Sequence, residues 1–249
     1  MPRVFVSSSA FTAAGLTVTG PHARHLAVVL RLQPGDTFGA IDEDGREHTV
    51  RISYAGPDRV RGTVVATHEL DTEPNLRLTL AQAIAKSRKM DLVIQKATEL
   101  GAFDIRPMVT QRVVVRRDAE RVEDRRDRWQ RIAHEAARQC GRTIVPQVHA
   151  TVPFDEALQR LAKCDLALLL TEQGASRPIS KVFAKRLRAD TIGLAVGPEG
   201  GFARSEVEQA LQVGVVPVTM GPRILRTETA ALAAVSIVLY AMGEMDDEH

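Results

Sequence analysis

The pattern of apolar residues changes near residue 71, and this change constrains the fold most. Before it, short apolar runs are separated by turn sequences such as Pro34–Asp36 and Gly56–Asp58, which are typical of antiparallel strands. One short helix is expected at Pro21–Leu30, and the predicted strands are Arg3–Val6, Thr37–Ile41, Glu47–Tyr54 and Arg59–Thr67. We therefore expect a small β-barrel over residues 1–72.

After a linker at Asp71–Asn75, strands and helices alternate, which favours an α/β domain with a parallel sheet over residues 73–249. The predicted strands are Leu76–Ile84, Ile105–Val109, Leu166–Leu170, Thr191–Val196 and Val215–Met220. Helical spacing is clearest in Asp118–Gln139, where Trp129 is expected to anchor the core. A capping box is predicted at Ser205–Glu208. The apolar run Ala230–Met242 is too short to span a bilayer, so we expect a buried helix there.

Composition excludes several classes of protein. With 44% hydrophobic and 26% charged residues, a chain of 249 residues can bury a core and is neither collagen-like nor wholly disordered. Two cysteines, Cys140 and Cys164, are too few for a disulfide framework or a four-cysteine zinc site, which favours a reducing compartment. No signal-peptide-like apolar stretch stands at the N-terminus, so we expect a cytoplasmic protein.

Charge is unevenly distributed along the chain. Residues 1–71 carry a net charge of −1, residues 72–149 carry +6 and residues 150–249 carry −3. The basic middle segment suits a polyanion such as nucleic acid. The alternation of basic and acidic residues over Val115–Arg131 fits a solvated helix with internal ion pairs equally well.

The first loop that can carry chemistry is Gly197–Phe202, with the sequence GPEGGF, directly after the predicted strand Thr191–Val196. Open α/β sheets bind ligands at the carboxyl ends of their strands. The loop lacks the Lys-Ser/Thr pair of a phosphate-binding loop and the G-x-G-x-x-G spacing of a dinucleotide site. A tight turn without a ligand explains its glycines equally well.

The second loop, Met220–Ala230, places Arg223, Arg226 and Glu228 beside an apolar helix. Burying such groups unpaired is costly, so we expect them to pair with each other, with backbone or with a ligand. The purely structural alternative is that Thr227 caps the helix and Glu228 favours its positive end. That alternative leaves the two arginines unexplained.

Further motifs accompany the two loops, namely His25-Leu26, Val29–Arg31, Lys96–Gly101 and Glu135–Arg142. Taken together, they resemble the bacterial 16S ribosomal-RNA uridine N3-methyltransferase family, which belongs to the SPOUT class of trefoil-knotted methyltransferases. The resemblance extends from about Arg3 to about Leu239. The chain departs from the family pattern at Met220, Pro222, Thr110–Arg112, Arg138 and Cys140.

The resemblance implies an N-terminal PUA-like β-barrel that helps to hold RNA and a C-terminal knotted parallel-sheet methyltransferase domain. It also implies S-adenosylmethionine as cofactor, no metal ion, no membrane, and a homodimer. Ala230–Met242 suits a dimer interface and an ordinary core equally well. The residues expected at the cofactor are Thr171, Gly197, Glu199, Gly201, Met220, Gly221, Ile224, Leu225, Arg226 and Thr229.

The implied reaction sets the roles of three charged residues. The N3 atom of uridine carries a proton, so its methylation requires loss of that proton or stabilisation of the developing anion. Arg226, Glu228 and Glu199 are the candidate catalytic residues, with the first two ranked ahead of the third. The alternative for Glu199 is structural, with its carboxylate accepting hydrogen bonds from backbone amides of its own loop.

The implied partner is 16S ribosomal RNA, within the small ribosomal subunit. The candidate RNA-binding residues are Arg3, Arg24 and Arg31 in the barrel and Lys86, Arg88, Lys89 and Arg112 after the linker. Each of them is equally well explained as a solvated surface charge.

Two other functions compete with this interpretation. One is a knotted methyltransferase that acts on a ribose 2′-hydroxyl or a tRNA base. The other is an RNA-binding or ribosome-assembly protein without catalytic activity. The intact loops argue against the latter, because a lost cofactor site has no evident reason to keep Arg226, Glu228 and the glycines of Gly197–Phe202.

Overall fold

The computed structural model describes residues 1–12, 15–70, 72–86, 88–113, 120–172, 176–184 and 188–246. The chain divides into two compact units. The first contains Met1–Glu73 and Ala137–Ile144, and the second contains Pro74–Ala136 and Val145–His249. The return of residues 137–144 to the first unit has no counterpart in the sequence prediction. Asp71 of the predicted linker and Asp118, the predicted helix start, lie outside the described residues.

The first unit is built on a six-stranded sheet with the order β1-β4-β5-β6-β3-β2. Its strands are β1 (Arg3–Phe5), β2 (Phe11–Thr12), β3 (Gly15–Thr19), β4 (Thr37–Ile41), β5 (Arg46–Ala55) and β6 (Arg59–Glu69). Among the strands described in this unit, only β1 and β4 pair in parallel. The four predicted strands are confirmed, whereas β2 and β3 were missed because β2 has only two residues and β3 only two strongly apolar ones, Leu16 and Val18.

The helix expected at Pro21–Leu30 has two parts. An α-helical turn, α1 (Gly20–Arg24), continues into a π-helical turn at His25–Val29. Arg31 then adopts a positive φ of 56°, which is uncommon for a residue with a side chain. Inside the unit, Leu26 of the π-helical turn joins a core that includes Phe38.

The second unit contains a parallel sheet with the order β10-β8-β7-β13-β11-β14-β12, and β9 pairs with β8 beside that path. Its strands are β7 (Arg77–Ala83), β8 (Asp104–Val109), β9 (Gln147–Val148), β10 (Val152–Pro153), β11 (Leu166–Leu170), β12 (Arg177–Pro178), β13 (Thr191–Val196) and β14 (Val216–Thr219). Each of these pairings is parallel. The predicted α/β sheet and its five predicted strands are therefore confirmed.

Six helices accompany the described part of this sheet. They are α2 (Lys89–Leu100), α3 (Glu120–Cys140), α4 (Phe154–Leu161), α5 (Ile179–Val182), α6 (Arg204–Gln212) and α7 (Thr227–Ala241), and α3 runs from the second unit into the first. Trp129 of α3 is 5% exposed in the core, as predicted. The buried helix expected at Ala230–Met242 is confirmed by α7, in which Val235 and Val238 are fully buried. Among the described residues, no helix combines the length and apolar character needed to cross a membrane.

The predicted capping box at Ser205–Glu208 is wrong. Helix α6 begins at Arg204, and Ala203 is its N-cap. Because alanine has no side-chain acceptor, the carboxylate of Glu206 accepts a hydrogen bond from the Ala203 N–H at 2.7 Å instead. The Ser205 hydroxyl contacts the side chain of Gln111. The helix is thus capped by the acidic half of a capping box alone.

One carboxylate fixes the segment that rejoins the first unit. Glu73 accepts hydrogen bonds from Arg142 Nη2 at 2.6 Å and from the backbone N–H groups of Thr143 and Ile144 at 2.9 and 3.0 Å. Arg142 is only 5% exposed. Glu73 therefore compensates the charge of a buried guanidinium.

We expect Glu73→Ala to lower the free energy of unfolding by about 3 kcal/mol, because it removes the carboxylate that pairs with a buried guanidinium and accepts hydrogen bonds from two backbone N–H groups. Urea denaturation followed by circular dichroism measures this change. Glu69→Ala is the matched control, because the Glu69 side chain is 85% exposed and should change stability by less than about 0.5 kcal/mol. Equal effects of the two variants would contradict the assignment.

Candidate functional site

A cavity of about 290 Å³ lies where three parallel strands end. Strand β11 is flanked by β13 and β14, so the carboxyl ends of all three meet at one edge of the sheet. The cavity walls come from the loop Gly197–Phe202 after β13, from residues 219–225 after β14, and from Leu170–Glu172 after β11. A cavity of this size is at the lower end of the range that holds small molecules.

Most of the residues predicted to bind a cofactor line this cavity. Those on its wall are Thr171, Gly197, Glu199, Gly201, Met220, Gly221, Ile224 and Leu225. Ile224 is 85% exposed, which is unusual for an apolar side chain. The structure does not place Arg226 and Thr229 on the wall. Both are exposed, and Arg226 is the N-cap residue of α7.

Sequence reasoning did not place several wall residues at the cofactor, among them Glu172 and Phe202. Glu172 adds a carboxylate two residues after β11, and the rule that parallel strands end at a common edge could have found it. Phe202 is buried and packs its ring 5.5 Å from that of Phe154. It anchors the end of the loop Gly197–Phe202 in the core.

A buried hydrogen-bond chain connects the cavity loop to the sheet. The Gln82 side-chain amide donates to Thr227 Oγ1 at 3.0 Å, and the Thr227 hydroxyl donates to the Gly197 carbonyl at 2.6 Å. Gln82 is fully buried near the end of β7, and Thr227 is the first residue of α7. The alternative in which Thr227 caps the helix is therefore wrong. Its hydroxyl ties β7 and α7 to the loop Gly197–Phe202.

Two candidate catalytic carboxylates share one lysine. Lys89 Nζ lies 3.1 Å from Glu199 Oε1 and 3.3 Å from Glu228 Oε2. The Lys86 backbone N–H also donates to Glu199 Oε1 at 3.1 Å. We name Lys89, Glu199 and Glu228 the carboxylate clasp. It joins the first turn of α2, the loop Gly197–Phe202 and the first turn of α7.

The clasp favours the charged forms of Glu199 and Lys89. Burial alone would raise the pKa of Glu199, but backbone N–H groups, including that of Lys86, and the Lys89 ammonium outweigh it and lower this pKa. The hydrogen bond with Glu199, and then the Glu228 carboxylate, raise the pKa of Lys89. Glu199 is therefore ionised at neutral pH and is a weak proton acceptor.

Family profiles match both units of the chain. The profile described as an RNA methyltransferase domain matches residues 72–239, and the profile described as an RNA methyltransferase PUA domain matches residues 18–65. Ribosomal RNA small subunit methyltransferase E of Bacillus subtilis is 33% identical over 228 residues, covering 90% of this chain and 89% of the relative. This chain belongs to the ribosomal RNA small subunit methyltransferase E family. The resemblance and the PUA-like α/β architecture are thereby confirmed.

Solved structures of relatives agree with this family. Ribosomal RNA small subunit methyltransferase E of Neisseria gonorrhoeae, solved with S-adenosyl methionine, matches with a TM-score of 0.84 at 34% identity, covering 96% of this chain and 97% of that one. A Legionella pneumophila protein in complex with the cofactor SAM matches with a TM-score of 0.86 at 32% identity and the same coverages.

The predicted RNA-binding residues of this family member differ in their surroundings. Arg3 is bound to Glu47 at 2.7 Å, Arg112 donates to the Gly200 carbonyl at 2.7 Å, and Lys89 belongs to the clasp. These three cations are engaged within the protein. The remaining candidates are exposed, and they are Arg24, Arg31, Lys86 and Arg88.

Sequence reasoning also missed a basic face on the first unit. Arg51, Arg59 and Arg61 are exposed on β5 and β6, and none forms an ion pair with a described residue. Tyr54 is 54% exposed, pairs in register with Arg61, and lines a shallow concavity with Arg59. We name these four residues the β5–β6 face. The alternation of Arg59 and Arg61 along one strand is the sequence pattern that could have found it.

Metal-ligating groups are not clustered in the described part of the chain, where no set of three His, Cys, Asp or Glu side chains could hold an ion. Both thiols are free, Cys140 at the surface and Cys164 half-buried. Burial raises the pKa of Cys164, and the nearby Asp104 carboxylate adds to this effect.

We expect Thr227→Val to lower the free energy of unfolding by about 2 kcal/mol, because it leaves the buried Gly197 carbonyl and Gln82 amide without one partner each. Thr227→Ser keeps the hydroxyl and should lose less than half as much. Thr229→Val, on the exposed side of the same helix, is the matched control. Urea denaturation measures all three. An equal loss in the Thr227→Val and Thr227→Ser variants would show that packing, rather than the hydrogen-bond chain, matters at this position.

Proposed function

We propose that this chain is an S-adenosylmethionine-dependent methyltransferase that methylates N3 of a uridine in 16S ribosomal RNA. The observation that carries the proposal is the cavity at the carboxyl ends of β13, β11 and β14. It is formed by the same two loops that carry the family resemblance. Relatives at 32% and 34% identity were solved with this cofactor.

The residues of the cavity fit this cofactor. Leu170, Val196 and Leu225 offer apolar contacts for an adenine ring. The carboxylates of Glu172 and Glu199 suit the sulfonium and ammonium cations of the same molecule. Bound there, S-adenosylmethionine supplies a methyl group attached to a positively charged sulfur.

The chain's own residues must handle the N3 proton and the charge that its loss leaves on the uracil. The lowered pKa of Glu199 makes it a poor base. Glu228 Oε2 is buried and, beyond its ion-pair distance to Lys89, has no hydrogen-bonding partner among the described residues. We therefore assign proton acceptance to Glu228 ahead of Glu199. Arg226 is exposed at the N-terminus of α7, from where it stabilises negative charge on the uracil carbonyls.

We further propose the domain organisation and assembly that the resemblance implies. Residues 1–72 form the RNA-holding barrel, residues 73–249 form the knotted methyltransferase domain, and the enzyme is a cytoplasmic homodimer. Large apolar side chains that are exposed on the packed helices α2 and α7 support the dimer. Leu92 of α2 is 40% exposed and Tyr240 of α7 is 70% exposed.

Small ribosomal subunits that lack the modification test the activity. We expect the protein and labelled S-adenosylmethionine to yield N3-methyluridine in 16S RNA, identified by mass spectrometry after digestion. Arg226→Ala should slow methyl transfer by about 100-fold or more, because it removes a charge that stabilises the transition state. Arg204→Ala is the control, since the Arg204 side chain is 91% exposed and pairs only with Glu208 among described residues.

Other outcomes of this assay identify the competing functions. Detection of the methyl group on ribose or on another base would support the proposed cofactor but identify a different substrate position. Absence of both methyl transfer and cofactor binding would leave an RNA-binding protein.

The β5–β6 face should bind the RNA strand, because arginines without carboxylate partners neutralise phosphates and an exposed tyrosine stacks on bases. We expect Arg59→Ala combined with Arg61→Ala to weaken binding of 16S RNA fragments and to reduce the slope of log K against log salt by about 1.5, since each lost phosphate contact contributes about 0.7 to 0.9. Arg46→Ala is the matched control, since Arg46 lies near Asp44 and Glu69 on the same unit. Equal salt slopes in all three proteins would exclude this face.

A further inference from the structure

Lys89 was expected to contact RNA, but its ammonium group contacts carboxylates of the protein itself. Its ammonium lies 3.1 Å from Glu199 and 3.3 Å from Glu228, whereas the exposed cations Lys86 and Arg88 just before it have no side-chain ion pair with a described residue. A cation that is already bound between two carboxylates gains little from a phosphate, because it must first give up those partners. Lys89 is therefore poorly suited to hold RNA.

We propose that Lys89 is a positioning residue that fixes the Glu199 carboxylate at the cavity wall, so that the cavity keeps a negative charge toward its cationic cofactor. The proposal rests on the proposed function. Glu199 lines the cavity, whereas Lys89 and Glu228 are not among the residues of its wall. The clasp therefore acts on the cofactor through Glu199 alone.

The net charge of the clasp affects how strongly the cavity prefers S-adenosylmethionine over its demethylated product. One lysine and two glutamates leave a net charge of −1. S-adenosylmethionine carries a net positive charge between about pH 5 and 8, whereas the demethylated product has lost the sulfonium charge and is neutral overall. An ionised Glu199 therefore favours the cofactor over the product. This preference lasts only while Glu199 remains ionised.

The charged groups around Glu199 determine when its ionisation fails. Lys89 and the Lys86 N–H stabilise its charged form, and Glu228 faces the same ammonium. Glu172 and Arg223 are the other charged side chains that line the cavity among the described residues. Without Lys89, burial still raises the pKa of Glu199 while one of the groups that lower it is lost, so this pKa is higher than in the wild type. The preference for the cofactor would then be lost at a higher pH as the solution is acidified.

Calorimetric titration with S-adenosylmethionine and with S-adenosylhomocysteine over a range of pH, without RNA, tests the proposal. In the wild type we expect the ratio of the two affinities to remain constant until the pH falls below the ordinary range of a glutamate. The midpoint pH is the pH at which half of the preference for S-adenosylmethionine is lost. In Lys89→Met this midpoint should rise by about one pH unit or more. Between the wild-type and variant midpoints, the affinity ratio of the variant should be about tenfold smaller. Lys89→Arg keeps the charge and should retain the wild-type profile.

Two further variants control for folding and for general charge. Lys96→Met removes a lysine two turns along the same helix, where it pairs with Glu99 at 2.7 Å, and should leave the profile unchanged. Lys89→Met combined with Glu228→Gln also removes the carboxylate that repels the charge of Glu199. This double variant should return the midpoint part of the way toward the wild-type value. Circular dichroism confirms that each variant is folded.

The result that overturns the proposal is an unchanged midpoint in Lys89→Met. Equal loss of affinity for both ligands at every pH would also overturn it, and would assign Lys89 a purely structural role. Weaker RNA binding with unaltered cofactor binding would restore Lys89 as an RNA contact. Failure of the wild type to bind S-adenosylmethionine would refute the proposed function itself, and with it this inference.

Discussion

The site depends on the all-parallel pairing of β13, β11 and β14. Parallel strands with their hydrogen bonds satisfied on both sides must end at one edge, so the loops that follow them converge although they are distant in sequence. The loop after β13 is then held from below by the Thr227 hydroxyl. Gly197 lets this loop fold back on itself, because a Cβ atom there would lie 3.3 Å from Gly201 and from the Phe202 ring. The cavity is thus a consequence of sheet topology, tightened by one buried hydrogen bond.

The sequence predicted most accurately the strands that are buried on both faces. Leu166–Leu170 and Thr191–Val196 begin and end where predicted, because strands covered on both faces are continuous apolar runs. Elements with weak local patterns were missed, including β2 and β3. The start of α6 was misplaced because Ser205 is a favourable N-cap residue, while the actual cap uses a glutamate at the third helical position. Local preference alone does not distinguish these two registers.

The candidate site was predictable to the extent that it is contiguous in sequence. Gly197, Gly201, Ile224 and Leu225 lie in two loops with distinctive sequences, and both loops reach the cavity. The partners that come from other elements were not predictable. Nothing in the sequence around Gln82 indicates that its amide supports Thr227, 145 residues away. The two carboxylate partners of Lys89 were not predictable for the same reason, because helical spacing places Lys89 at the start of α2 without showing which elements that turn contacts.

Ion pairing distinguishes the cations that fix the cavity loops from those that are available to bind RNA. Around the cavity, Lys89 and Arg112 are bound to Glu199 and to the Gly200 carbonyl, so their positive charge is used to fix loops. On the β5–β6 face, arginines of the same charge have no carboxylate partner among described residues. A charge compensated inside the protein contributes little to the affinity for a polyanion, whereas an uncompensated one releases counterions when RNA binds. Net charge is therefore a poor guide to RNA binding here. The first unit, with a sequence charge of −1 over residues 1–71, still presents three arginines on the β5–β6 face, beside a carboxylate, Asp58, in the concavity, while other acidic residues of this unit are already paired, as Glu47 is with Arg3.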